Sequence, residues 1–168
     1  AAELRTRAAG FDVEVDDASD RTSLIAVQGP ASEQILRDAL TAEGSGVEGL
    51  GDEDLTGMKN YRFAVASFHG RDLLVARTGY TGEDGFELYV PDAQATAMWE
   101  LLTTAGGERL TPCGLACRDT LRLEAGMPLY GNELSRALHP AQAGMGRVVA
   151  LKSKGDFVGR AGVEHADV

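Results

Sequence analysis

A tyrosine, a glutamate and an arginine in this chain have the setting to handle a small ligand. Two of them fall in one stretch, Val75-Ala76-Arg77-Thr78-Gly79-Tyr80-Thr81-Gly82-Glu83-Asp84-Gly85-Phe86-Glu87-Leu88-Tyr89-Val90. Runs with strand character flank a loop that holds three glycines, two carboxylates and Tyr80. Glycine at every third position is expected to let the backbone turn sharply through positive φ. A plain reversal needs only two residues such as Asn-Gly. The longer polar loop therefore fits a shaped ligand surface, and it also fits a loosely built hairpin. Glu87 lies between Phe86 and Leu88, so in a strand its carboxylate points to the other sheet face. Taken alone, that describes any solvent-facing glutamate, and an exposed tyrosine is equally ordinary.

The arginine is Arg118, in a helix predicted over about Pro112 to Ala125. At about 100° per residue, Leu115, Cys117, Leu121 and Ala125 form an apolar arc that contains Arg118. Arg122, one turn later, lies nearer the edge of that arc. A guanidinium among apolar side chains demands a carboxylate, because burying it unpaired costs on the order of several kcal/mol. The partner is either internal, from Glu87 or Asp119, or a ligand carboxylate matching the planar fork. The residues alone leave both open.

Other features carry less chemistry. Gly79-x-x-Gly82-x-x-Gly85 lacks the Gly-x-Gly start of a dinucleotide loop, and no Gly-Lys-Ser/Thr occurs. Cys113 and Cys117 make neither a disulfide framework nor a zinc site and read as reduced packing thiols. His69, His139 and His165 are isolated from any nucleophile. Asn132-Glu133 either edges the same pocket or, as loop polar residues usually do, lies in an exposed loop, and Met98-Trp99 reads as core.

The elements that must carry these residues follow from periodicity. Leu4 to Ala9 reads as a helix ended by Gly10, and Phe11 to Val15 as a half-exposed strand. Ser23 to Val27 reads as a buried strand, and Ser32 as the N-cap of a helix carrying Ile35, Leu36, Ala39 and Leu40. Residues 43–57 form a loop with at most a short helical turn. Arg62 to Phe68 and Asp72 to Arg77 form a hairpin turned at His69-Gly70, with a further strand from Phe86 to Val90. An amphipathic helix runs from Pro91-Asp92 to Gly106-Gly107. After residue 127 the period is lost until a short strand at Arg147 to Leu151 and a helical turn from Gly159 to His165. Hairpins with separate helices predict an α+β fold, an antiparallel sheet with flanking helices.

At 168 residues and 43% hydrophobic, the chain can bury a real core. No apolar run approaches the roughly 20 residues of a membrane span, and Ala1-Ala2-Glu3-Leu4-Arg5 has no signal-like core, so a soluble, cytoplasmic protein is expected. Sixteen basic against 26 acidic residues, a formal charge of −10, argue against a nucleic-acid partner.

The Gly79–Glu87 block resembles the glycine-cleavage T-protein family, the folate-dependent aminomethyltransferases. A second block, Gly114-Leu115-Ala116-Cys117-Arg118-Asp119-Thr120-Leu121-Arg122-Leu123-Glu124-Ala125-Gly126-Met127-Pro128-Leu129-Tyr130-Gly131-Asn132-Glu133-Leu134, resembles it too. Softer likenesses are Leu24-Ile25-Ala26-Val27-Gln28-Gly29-Pro30 and Lys154-Gly155-Asp156-Phe157-Val158-Gly159-Arg160. The resemblance implies that Tyr80, Glu87 and Arg118 face tetrahydrofolate. Glu87 would accept from the pterin's amino and ring N–H groups. Tyr80 would offer a ring face and a hydroxyl, and Arg118 would serve the folate or a structural pair shaping its pocket. It also implies lipoylated H-protein as partner, with the chain itself expected to be a monomer.

The family's catalytic aspartate lies upstream of the Ser23–Pro30 region, and Asp12, Asp16 and Asp17 do not fit its pattern. Residues 1–150 are thus expected to be the central α+β folate-binding region of a longer protein. Residues 151–168 are expected to connect to a C-terminal β-rich domain. A folate-dependent demethylase, a sarcosine or dimethylglycine dehydrogenase domain, and a non-catalytic folate-binding relative are the alternatives.

Overall fold

The computed structural model describes residues 1–164. By packing, the chain divides after Gly114 into two compact units.

In the first unit α1 (Ala2–Ala8) precedes β1 (Thr22–Gln28), α2 (Ser32–Leu40), β2 (Val47–Glu48) and α3 (Asp52–Thr56). The hairpin β3 (Phe63–Phe68) and β4 (Arg71–Ala76) follows, then β5 (Gly85–Pro91) and α4 (Ala95–Gly106). The strands form one antiparallel sheet in the order β1-β5-β4-β3-β2. The α+β expectation stands, as does the β3–β4 hairpin, whose His69 and Gly70 both take positive φ.

Alternation sets the two faces of the sheet. Phe86, Leu88 and Val90 of β5 point inward with Val75, Leu73 and Phe68, and α2 and α4 cover them with Ile35, Leu36, Leu40, Met98 and Leu102. The opposite face carries two cross-strand rows, Leu24–Tyr89–Leu74–Val65 and Ala26–Glu87–Ala76–Phe63. Phe63 and Val65 are each 63% exposed and Leu24 49%, so the edges of this face lie open, while Leu74, Glu87 and Tyr89 at its centre are half-buried and Ala76 is buried. β1 is therefore an edge strand open on one side, not the buried strand expected from its continuous apolar run.

Several other expectations are corrected. Residues 11–15 are irregular, with Phe11 and Val13 exposed, because no strand among the described residues pairs with them. Ser32 is the first helical residue of α2 rather than its cap, and its hydroxyl instead donates to the Asp84 carbonyl at 3.3 Å. The helix expected from Pro91 opens as a 3-10 turn, Asp92–Gln94. Trp99 is 45% exposed, so only Met98 of that pair is core.

The second unit holds α5 (Leu115–Glu124), a run of turns, and α6 (Arg160–Glu164). Residues 112–114 stay outside α5. The strand expected at 147–151 is instead a 3-10 turn, Gly146–Val148, closed by local bonds such as Val148 N–H to the Met145 carbonyl at 3.0 Å. His165, the expected end of the last helical turn, lies outside the described residues.

Leu88 is fully buried on β5, which bonds to both β1 and β4. Leu88→Ala is expected to lower unfolding stability by about 2–5 kcal/mol. Urea denaturation followed by Trp99 fluorescence checks this, with an unchanged m-value expected.

Candidate functional site

The loop carrying Tyr80 is anchored at both ends by one ion pair. Arg77 follows β4 and Asp84 precedes β5, and the guanidinium grips the carboxylate in two-pronged fashion at 3.0 and 2.6 Å. Glu33 of α2 adds a third charge contact at 2.8 Å. The remaining Nη1 donates to the carbonyls of Leu55 at 3.2 Å and Met58 at 3.0 Å. The guanidinium also lies 5.0 Å from the centre of the Phe86 ring, within cation–π range. The Asp84 carbonyl accepts from the Gly29 N–H at 2.8 Å, tying the same residue to the start of α2. One of the loop's two carboxylates is thus structural.

Glu87 sits on the open face, as its alternation predicts. Its cross-strand neighbours are two small residues, Ala26 on β1, which is exposed, and Ala76 on β4, which is buried. The Thr78 hydroxyl donates to Glu87 Oε2, fixing one oxygen. Two residues along the strand, burial and then the Glu87 charge push the Tyr89 phenol above its ordinary value. Tyr80 is partly buried within the loop.

The glycine spacing has a different cause from the one expected. Only Gly82 takes positive φ, +77°. Gly79 and Gly85 do not, yet a Cβ on either would meet the Gln28 carboxamide, at 1.9 and 2.4 Å respectively. Close approach, not turning, demands them.

In the second unit the buried guanidinium is that of Arg122, at 1% exposure, while Arg118 is exposed. Arg122 Nε donates to Asp119 at 2.8 Å, and Nη1 reaches Glu133 and the Met127 carbonyl, the latter at 3.1 Å. Asp119 therefore pairs with Arg122 here. The helical arc failed because Arg122 folds back against the turn following its own helix, which no period reports. That turn is a Schellman motif: Met127 N–H bonds to the Arg122 carbonyl at 2.8 Å and Gly126 N–H to Leu123 at 3.0 Å, with Gly126 at φ +71°. Glu133 also accepts from the Leu129 N–H at 2.9 Å, so it is a tied turn residue rather than a loose loop carboxylate. The Leu129 N–H first, then the Arg122 guanidinium, hold its carboxyl below the usual value. Both cysteines are exposed and are not packing thiols.

The GCVT N-terminal domain family matches residues 1–153. The chain belongs to that family. It is 55% identical over 166 residues to an aminomethyltransferase of Cutibacterium acnes, covering 99% of this chain and 44% of that protein. An aminomethyltransferase of Streptomyces coelicolor is also 55% identical, over 97% of this chain and 41% of its own length. Among solved structures, the glycine cleavage system aminomethyltransferase T from Bartonella henselae aligns with a TM-score of 0.67 at 37% identity. That alignment covers 83% of this chain and 33% of the other. The chain therefore spans less than half the length of these relatives. No helix among the described residues is long and apolar enough to cross a membrane.

Within this GCVT N-terminal domain, Tyr80 and Glu87 share the first unit, while Arg118 lies in the second. Sequence reasoning passed over Gln28, Thr78 and Tyr61. Tyr61 is 87% exposed, has φ +63°, and donates its N–H to the Arg77 carbonyl at 2.9 Å. A left-handed tyrosine is strained, and no local sequence signal marks it. Gln28 and Thr78 become legible only when β1 meets the loop.

Arg77→Ala leaves Asp84 and Glu33 facing each other and strips two carbonyls of their donor. The expected loss is on the order of 3 kcal/mol, toward the low end for a buried pair because both carboxylates still touch water; chemical denaturation measures it. Glu133, whose carboxyl is held low in the fold, stabilises the second unit above its ordinary value of 4.5. That contribution disappears as pH falls through the lowered value. Amide protection factors at 127–133, corrected for the intrinsic pH dependence of exchange, should therefore fall in acid in the wild type, with a flatter acid profile in Glu133→Gln.

Proposed function

We propose that this chain forms the tetrahydrofolate-facing part of an aminomethyltransferase of the glycine cleavage system. In that reaction an aminomethyl group rides on the lipoyl arm of H-protein. Tetrahydrofolate takes the methylene, and ammonia and dihydrolipoyl H-protein leave. Glu87 accepts from the paired N–H donors of the pterin. Tyr80 contributes a ring face and a hydroxyl, and Arg118 offers a planar fork for a folate carboxylate. Residues 1–150 form the folate-facing region and 151–168 the connector to further chain. The setting is cytoplasmic, the partner is H-protein, and the chain is a monomer.

The observation that carries the reading is the Glu87 carboxylate. It stands half-buried between two alanines on the sheet face away from α2 and α4, with one oxygen fixed by Thr78. Small cross-strand neighbours suit the approach of a flat ring, and a pre-set oxygen lowers the ordering cost of binding. Relatives at 55% identity that carry the name aminomethyltransferase support the reaction class. Catalysis is chiefly placement of the folate amine beside the carrier-bound carbon. Asp12, Asp16 and Asp17 do not match the pattern around the family's catalytic aspartate, so these 168 residues alone are expected to give no turnover.

Calorimetric titration with tetrahydrofolate tests the site. Glu87→Gln sets an amide against the pterin donors and is expected to weaken binding by about ten- to a hundredfold. Equal affinity in the two proteins, or no binding by the wild type, would sink the reading. Turnover with lipoylated H-protein from this chain alone would defeat the expected inactivity.

A further inference from the structure

Gln28 is the last residue of β1 and lies opposite Gly85 in the β1–β5 ladder. Its carboxamide is used on every side. Nε2 donates to the carbonyls of Thr78 at 3.2 Å and Phe86 at 3.3 Å, and Oε1 accepts from the Thr81 hydroxyl at 3.2 Å. These partners lie at the start of, within and after the loop. Gly79 and Gly85 lack positive φ, and the space a Cβ would take on each is filled by this one amide. Two of the three glycines therefore answer to a single side chain on another strand.

We propose that Gln28 is the positioning residue of the ligand-facing loop, acting on Glu87 through Thr78. The amide fixes the Thr78 carbonyl, and the hydroxyl of the same residue orients Glu87 Oε2. Tyr80 is held between the two anchored points, Thr78 and Thr81. The functional meaning rests on the tetrahydrofolate reading above, while the mechanics rest on the geometry alone. Only an amide satisfies the position. Its donors meet two carbonyl oxygens, so an ionised glutamate would set like charges against them, and an alanine would leave both without this donor.

The test is amide hydrogen exchange on the 168-residue chain for Gln28→Glu, Gln28→Ala, Gly79→Ala and the Gln28→Ala/Gly79→Ala double variant. Each single variant is expected to speed exchange at 79–84 by about tenfold or more, while the β3–β4 hairpin amides keep wild-type rates. A merely structural role would loosen the hairpin as well. The double variant should be no faster than Gly79→Ala alone, because the atoms that clash are gone. Tetrahydrofolate affinity should fall in Gln28→Glu and Gln28→Ala. Unchanged loop exchange in Gln28→Glu, uniform loosening of the sheet, or additive effects at 28 and 79 would overturn the proposal. A wild type that ignores tetrahydrofolate but shows this exchange pattern would overturn the ligand reading and leave the positioning role standing.

Discussion

The guanidinium of Arg77 is the point on which the first unit turns. Largely removed from water, it must spend its donors inside the protein, and its partners come from α2, the end of α3, the turn that follows it and the residue just before β5. That requirement closes the loop at 78–84 into a fixed span. It also brings the Asp84 carbonyl to the Gly29 N–H and so ties the first turn of α2 to the same point. A polar loop would ordinarily be mobile. Here both ends of the loop are held by a charge that tolerates no vacancy.

Arg122 repeats the device in the second unit. Its fork takes Asp119 from its own helix and Glu133 from the turns beyond, and the Met127 carbonyl fills the gap between. Both arginines organise turns rather than layers, so regions poor in apolar contacts still acquire a defined shape. The open face of the sheet differs in kind. Its edges carry exposed apolar side chains, Leu24 on β1 and Phe63 and Val65 on β3, while Glu87 stands half-buried between Ala26 and Ala76.

Much of this was legible in local pattern. The alternation of Phe86, Glu87 and Leu88 assigned the faces of β5, and His69-Gly70 marked the hairpin turn. The errors share a cause. Phe11 to Val15 and Arg147 to Leu151 have strand-like composition, but a strand needs a partner, and composition does not supply one. The arc on α5 favoured Arg118 as the buried cation because helical geometry counts only neighbours on the same helix, while Arg122 found its partners beyond the helix end.

By themselves, the residues determined the α+β class, the hairpin, the outward carboxylate of Glu87 and the likeness to the glycine-cleavage T-protein family, since each depends on neighbours close in the chain. Only the tertiary structure decided which arginine is buried, that Asp84 is an anchor, and why Gly79 and Gly85 bear no side chain. Those outcomes depend on which strand lies beside which loop. The separation between Gln28 and Phe86, 58 residues, is a distance along which no periodicity carries information.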